Sequence, residues 1–188
     1  LAAGYLVKPF ALELPTAFGY HIVCPPESRD RPLVAAFIDW LLEAAGETCT
    51  GLHHIGSTAV PGILAKPIID ILGEVSSFEL LDGATGCIES LGYTAMGTFG
   101  IEGRRYFRKD DAQGHRTHHL HVFEAGSLHI ERHLAFRDYL RSHPEKAGEY
   151  SALKEALVDA GVAYQDGKDA FVKAAEAEAI NWRRSGAS

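Results

Sequence analysis

"HHIGSTAVPGILAKPIID", residues 53–70, decides how the chain is read. A strand runs into a Gly-Ser-Thr turn, bends at Pro61-Gly62, and re-enters as a second apolar strand carrying one acid, Asp70. A carboxylate among Ile68, Ile69, Ile71 and Leu72 is costly to bury unless a charged or hydrogen-bonding group meets it. Asp70 is therefore either a structural acid, paired with Lys66 or an arginine of a neighbouring strand, or part of a site.

Strand alternation puts Asp70 on one face with Ile68, Leu72 and Glu74. Further along, "RRYFRK" (104–109) and "RTHHLHVFE" (116–124) are joined by the polar loop "DDAQGH" and read as a hairpin. In its second strand His119 and His121 share a face with Phe123. The first strand offers Arg104, Tyr106 and Arg108 on one side and Arg105, Phe107 and Lys109 on the other. A carboxylate, two imidazoles and guanidinium groups suit a divalent metal and phosphoryl oxygens. In the turn, Gly56 lets backbone approach a ligand, and Ser57 and Thr58 add donors. His54 lies beside that turn. Taken singly, His119 and His121 also fit half-exposed positions on an open sheet, and Arg104-Arg105 a solvated edge. Ser57 lacks a Gly-x-Ser-x-Gly context, which argues against a serine hydrolase.

The surrounding elements give a fold class. "ESRDRPLVAAFIDWLLEAAG" (27–46) has helical spacing, with Ser28 or Asp30 as N-cap and Gly46 as stop. Strands follow over 48–56 and 66–75, a helix over 77–92 closed by Gly92, and a strand over 93–99. From residue 127 the period is helical: one helix over 127–142, a second started by a Ser142/Glu145 capping box with Pro144 in its first turn, and a third over 166–186. The expected fold is α+β: a mixed sheet of about five strands, with helices mainly on one face and a helical C-terminal part.

Composition narrows the classes. The 188 residues are 46% hydrophobic and 23% charged, enough for one well-buried core. No apolar run approaches the roughly 18 residues of a membrane span. A net charge of −7 argues against long nucleic acid, although a local basic cluster can hold one nucleotide. Cys24, Cys49 and Cys87 lack metal or redox spacing and read as reduced. Residues 1–20 do not resemble a secretory signal, so the expectation is a cytoplasmic protein with a partly ordered arm over 1–20 and a single domain over 21–188.

Together "HHIGSTAVPGILAKPIIDI", "GRRYFRK", "RTHHLHVFE" and "RHLAFRDYLRSHPEKAGEYSALK" resemble the GrpB family of nucleotidyltransferase-fold proteins, over roughly residues 20–184. The resemblance implies a DNA polymerase beta-like nucleotidyltransferase fold, in which a Gly-Ser turn holds a triphosphate and acids on the next strand hold metal. Gly56 and Ser57 match that turn, and Asp70 matches the first metal-binding acid. The second acid is expected two residues on, where this chain has Leu72. Glu74 lies about 13 Å beyond Asp70 on an extended strand, too far to chelate the same ion. His119, His121 or Glu124 are then the candidates to complete an altered site, with Glu124 the weakest of the three because alternation puts it with Leu120 and Val122 unless the strand ends first.

The expected site therefore has Asp70, His119 and His121 as metal ligands, for Mg²⁺ or Mn²⁺ with Zn²⁺ admitted by the histidines. Gly56, Ser57, Thr58, Lys66, Arg104 and Arg108 bind phosphate, and Asp70 and Arg105 are catalytic. The ligand is a nucleotide or another phosphorylated small molecule. An enzyme, a non-catalytic phospho-ligand module and, third, an interaction domain presenting the C-terminal helices all stay open; the sequence does not fix the oligomeric state.

Overall fold

A computed structural model describes residues 48–159 and 164–186. The helix predicted over 27–46, Cys24 and the arm over 1–20 lie outside the described residues. Five strands form one sheet: β1 (Cys49–Ile55), β2 (Ile69–Val75), β3 (Tyr93–Ala95), β4 (Arg105–Asp110) and β5 (Arg116–Glu124), in the order β1-β2-β5-β4-β3. β2 and β5 are parallel, and the other three pairings are antiparallel. The fold is α+β with a mixed open sheet, as the alternation of strand and helix patterns implies.

Alternation along the strands supplies two apolar faces. On one, Ile71, Val75, Phe107, Leu120 and Val122 pack against Leu81 of α1 (Phe78–Gly83) and Ile88 of α2 (Thr85–Ser90). On the other, Leu72 and Phe123 meet Ile130 and Leu134 of α3 (Leu128–Ser142). A third cluster joins Val60 to Ala135, Tyr139 and Leu140 of α3, Ala147 and Tyr150 of α4 (Pro144–Asp159), and Ala179 of α5 (Tyr164–Arg184). Among the described residues, most of the helical mass thus belongs to the C-terminal part, while two short helices cover the opposite face.

Local chemistry explains the boundaries. Ser77 Oγ accepts from the Glu79 amide and starts α1, but the predicted continuous helix over 77–92 breaks at Ala84, whose φ of −92° and ψ of 1° end one helix and open the next. Ser142 is the last residue of α3 rather than a separate cap. Only His143 divides α3 from α4, and its carbonyl accepts the Ala147 amide. The predicted strand over 93–99 shortens to Tyr93–Ala95. Among the described residues, no helix is long and apolar enough to cross a membrane.

Candidate functional site

Strand register brings the predicted metal ligands together. Asp70 sits opposite His119, and His119 opposite Arg108, so one row crosses β2, β5 and β4. Asp70 Oδ1 lies 2.8 Å from His119 Nδ1 and 3.8 Å from His121 Nε2. One donor atom from each of Asp70, His119 and His121 falls within 4.8 Å of the others. Burial pushes the Asp70 carboxyl up, but hydrogen bonds and charge from His119 and His121 outweigh it and hold the group down at about 2. Both histidines thus meet the acid directly.

Two imidazole nitrogens and a carboxylate oxygen at this spacing are a donor set that fits a single divalent ion. His121 Nδ1 lies 3.2 Å from Arg104 Nη1. An arginine can only donate, so His121 keeps its proton on Nε2, toward Asp70. An ion held by these atoms would take the place of the protons now between them, and coordination through Nε2 would leave the His121 proton on Nδ1, facing Arg104, so that the Arg104–His121 hydrogen bond would be given up. His133, whose ring is 5.8 Å from that of His121, is held neutral: burial first and then Arg132 bring it down to about 3.

No second carboxylate joins Asp70 among the described residues. Leu72 is fully buried in the apolar cluster under α3. Glu74 is 2.7 Å from His53 Nε2, and Glu124 Oε1 accepts the Phe78 amide, where it supports the start of α1. Glu124 is therefore not available to complete the site.

The Gly56–Ser57 turn abuts Asp70. Gly56 has φ 71° and ψ −172°, a conformation open to glycine, and a β-carbon there would lie 3.0 Å from Asp70 Cγ and closer still to Oδ2. Thr58 is a strut: its hydroxyl bonds His54 Nε2 at 2.9 Å and the Ile68 carbonyl at 3.3 Å. Two arginines of α3 hold the same segment, Arg137 through the His54 carbonyl and Arg141 through that of Ala59.

Sequence reasoning missed Lys154. From α4 its ammonium donates to Ser57 Oγ at 3.0 Å and to the Leu64 carbonyl, with Tyr150's ring beneath it at 4.1 Å. The residue is 1% exposed, and burial, then Lys168, brings it down to about 8. Its position on the apolar stripe of α4, four residues after buried Tyr150, is the signal that could have found it. Lys168 feels Asp70 as an attractive charge and Lys66 as a repulsive one, and it lowers Lys154, so it lies within electrostatic reach of the acid and of the lysine that holds the turn.

The predicted arginines divide. Arg104, 5% exposed, lies over Tyr106 and contacts His121. Arg108 stands beside His119, and its Nε is buried without a hydrogen-bond partner among the described residues. Arg105 corrects the expectation: alternation sends it to the opposite face, where it pairs bidentately with Asp82 of α1 at 2.8 Å for both bonds. It is remote from Asp70 in orientation and already neutralised. Arg116, not anticipated, reaches the Tyr106 phenol while paired to Asp110.

The sequence model of the GrpB protein family matches residues 26–178. The chain is similar to the UPF0157 protein YqkA of Bacillus subtilis, 47% identical over 143 residues that make up 74% of this chain and 41% of that protein. It is also similar to the glutamate-rich protein GrpB of Alkalihalophilus pseudofirmus, 37% identical over 61% of this chain and 67% of that one. The chain spans about half the length of most curated relatives it matches. The crystal structure of conserved protein GrpB from Enterococcus faecalis superposes with a TM-score of 0.71 at 41% identity, covering 81% of this chain and 94% of that one. On the residues matched and the fold shared, the chain belongs to the GrpB family, within the nucleotidyltransferase-like superfamily.

Proposed function

We propose that this chain binds a nucleotide or another phosphorylated small molecule together with one divalent cation, and that nucleotidyl or phosphoryl transfer is the reaction the site serves. The observation that carries the reading is the convergence of Asp70, His119 and His121 beside Ser57, whose hydroxyl is held by a buried lysine. Two imidazoles and one carboxylate favour Mn²⁺ or Zn²⁺ over Mg²⁺, which prefers oxygen donors. Such an ion, when bound, polarises a phosphoryl oxygen. The protein's own groups do the rest: Lys154, Lys168 and Arg108 offset phosphate charge, and Ser57 donates to a phosphoryl oxygen. The net charge of −7 favours a small ligand over a polynucleotide.

A second reading, binding without catalysis, is favoured by one observation. Leu72 occupies the second acid's position in full burial, which leaves a single carboxylate where two-metal transfer relies on several. Thermal shift tests the shared part: ATP or pyrophosphate with Mn²⁺, Zn²⁺ or Mg²⁺, on the wild type and Asp70→Asn. Stabilisation should grow as RT ln(1 + [L]/Kd) and its metal-dependent part should vanish in the variant. An equal response of both proteins contradicts the metal role. Pyrophosphate release from labelled nucleoside triphosphates then separates transfer from binding.

A further inference from the structure

Phe99 is an exposed aromatic residue in an unusual backbone conformation. It is 59% exposed and has a φ of 44°, the one positive φ among the described residues other than glycine. Left-handed backbone in a bulky residue is costly and persists where its surroundings impose it. Here the surroundings are a buried arginine. Arg104 donates through Nε to the Thr98 carbonyl at 3.1 Å and through Nη2 to the Phe99 carbonyl at 2.8 Å. The Tyr106 amide ties the other end of the loop to the Gly97 carbonyl at 2.8 Å.

The result is a fixed aromatic pair at the edge of the site. The Phe99 ring stacks on Tyr106 with centroids 5.1 Å apart and planes 23° from parallel. Tyr106 in turn lies 5.6 Å from the ring of His119 and 5.2 Å from that of His121. Arg104 holds both halves, since its third contact is His121 Nδ1. An exposed phenylalanine whose loop is pinned by the same buried cation that touches a candidate metal ligand is poorly explained as packing, because among the described residues more than half of its surface is left uncovered.

The sheet order gives the pair a direction. The Gly-Ser turn follows β1, Asp70 lies on β2, His119 and His121 on β5, and Tyr106 on β4. Three strand spacings separate the turn from the aromatic pair, about 14 Å across the sheet. Terminal phosphates at Ser57 and Lys154, a metal-bound inner phosphate at Asp70 and a flat base at Phe99 follow the order of groups in an extended nucleotide. We infer that Phe99, backed by Tyr106, is the stacking platform for a nucleobase, so the phosphorylated ligand is a nucleoside polyphosphate. The inference rests on the phosphate-and-metal reading of the site and narrows it to one substrate class.

Calorimetry with Mn²⁺ present tests it, comparing ATP, GTP, CTP and UTP with inorganic tripolyphosphate. The wild type should bind at least one nucleoside triphosphate more tightly than tripolyphosphate. Phe99→Ala should weaken that nucleotide on the order of tenfold and leave tripolyphosphate unchanged, while Phe99→Trp retains the preference. Phe99→Gly, which relieves the positive φ, should behave like Phe99→Ala and so separates the ring from backbone strain. Tripolyphosphate binding as tightly as every nucleotide, or equal loss of both probes in Phe99→Ala, overturns the platform and leaves the phosphate reading standing. Failure of all five probes to bind overturns both.

Discussion

Gly56 and Asp70 touch so closely that a β-carbon on the glycine would lie 3.0 Å from Asp70 Cγ. The turn and the acid are therefore one unit, and the glycine's φ of 71° makes the position doubly restrictive. Gly56→Ala should cost about 1–3 kcal/mol in stability from the backbone alone. It should also displace the Asp70 carboxylate and remove Mn²⁺-linked stabilisation in a melt that remains cooperative.

Leu72 fixes the site at one carboxylate. Leu72→Asp restores the spacing of a two-acid motif, but it places a charge among Ile55, Phe123, Ile130 and Leu134 and leaves a void. The expected loss is on the order of 3–5 kcal/mol by urea denaturation, with no second metal equivalent gained.

Lys154 makes the phosphate turn sensitive to pH. In the folded protein burial lowers it to about 8 from the ordinary value of 10.5. Between those values the unfolded chain holds the extra proton, so this residue's contribution makes stability rise with pH across that window. Lys154→Met should flatten that rise. Affinity for pyrophosphate should instead fall as pH climbs through about 8 in the wild type, because the cation at Ser57 is lost, and it should be weak at every pH in Lys154→Met. Calorimetry from pH 7 to 9 measures both.

Much of this was legible in the chain itself. Period-two patterns in 66–75, 104–109 and 116–124 placed Asp70, His119 and His121 on faces that register then aligned. The face chosen by β4 was not legible, because Arg104-Arg105 gives both sides a cation; the register that sets Arg108 opposite His119 decides it, and Arg105 then pairs with Asp82 on the other face. Lys154 was hidden by distance, since nothing local joins residue 154 to residue 57. The break at Ala84 was masked by a continuous apolar period across two short helices. Glu124 was legible as the weakest candidate, since alternation sends it to the face of Leu120 and Val122; that its carboxylate accepts the Phe78 amide there was not.

Arg105 supplies a control. Its bidentate bond to Asp82 is partly exposed and on the other face, so Arg105→Ala should cost at most about 1 kcal/mol and leave nucleotide and metal affinity unchanged. Arg108→Ala, on the site face, should weaken pyrophosphate binding severalfold, and parallel titrations of the two variants distinguish the faces.

The central claim is that Asp70, His119 and His121 hold one divalent ion. Titration of Mn²⁺ followed by electron paramagnetic resonance tests it most directly, on the wild type and on Asp70→Asn verified as folded by circular dichroism. The account predicts one saturable ion per chain, nitrogen coupling from imidazole, and loss of both in the variant. Absence of saturable binding at neutral pH, or a spectrum unchanged by Asp70→Asn, would contradict it.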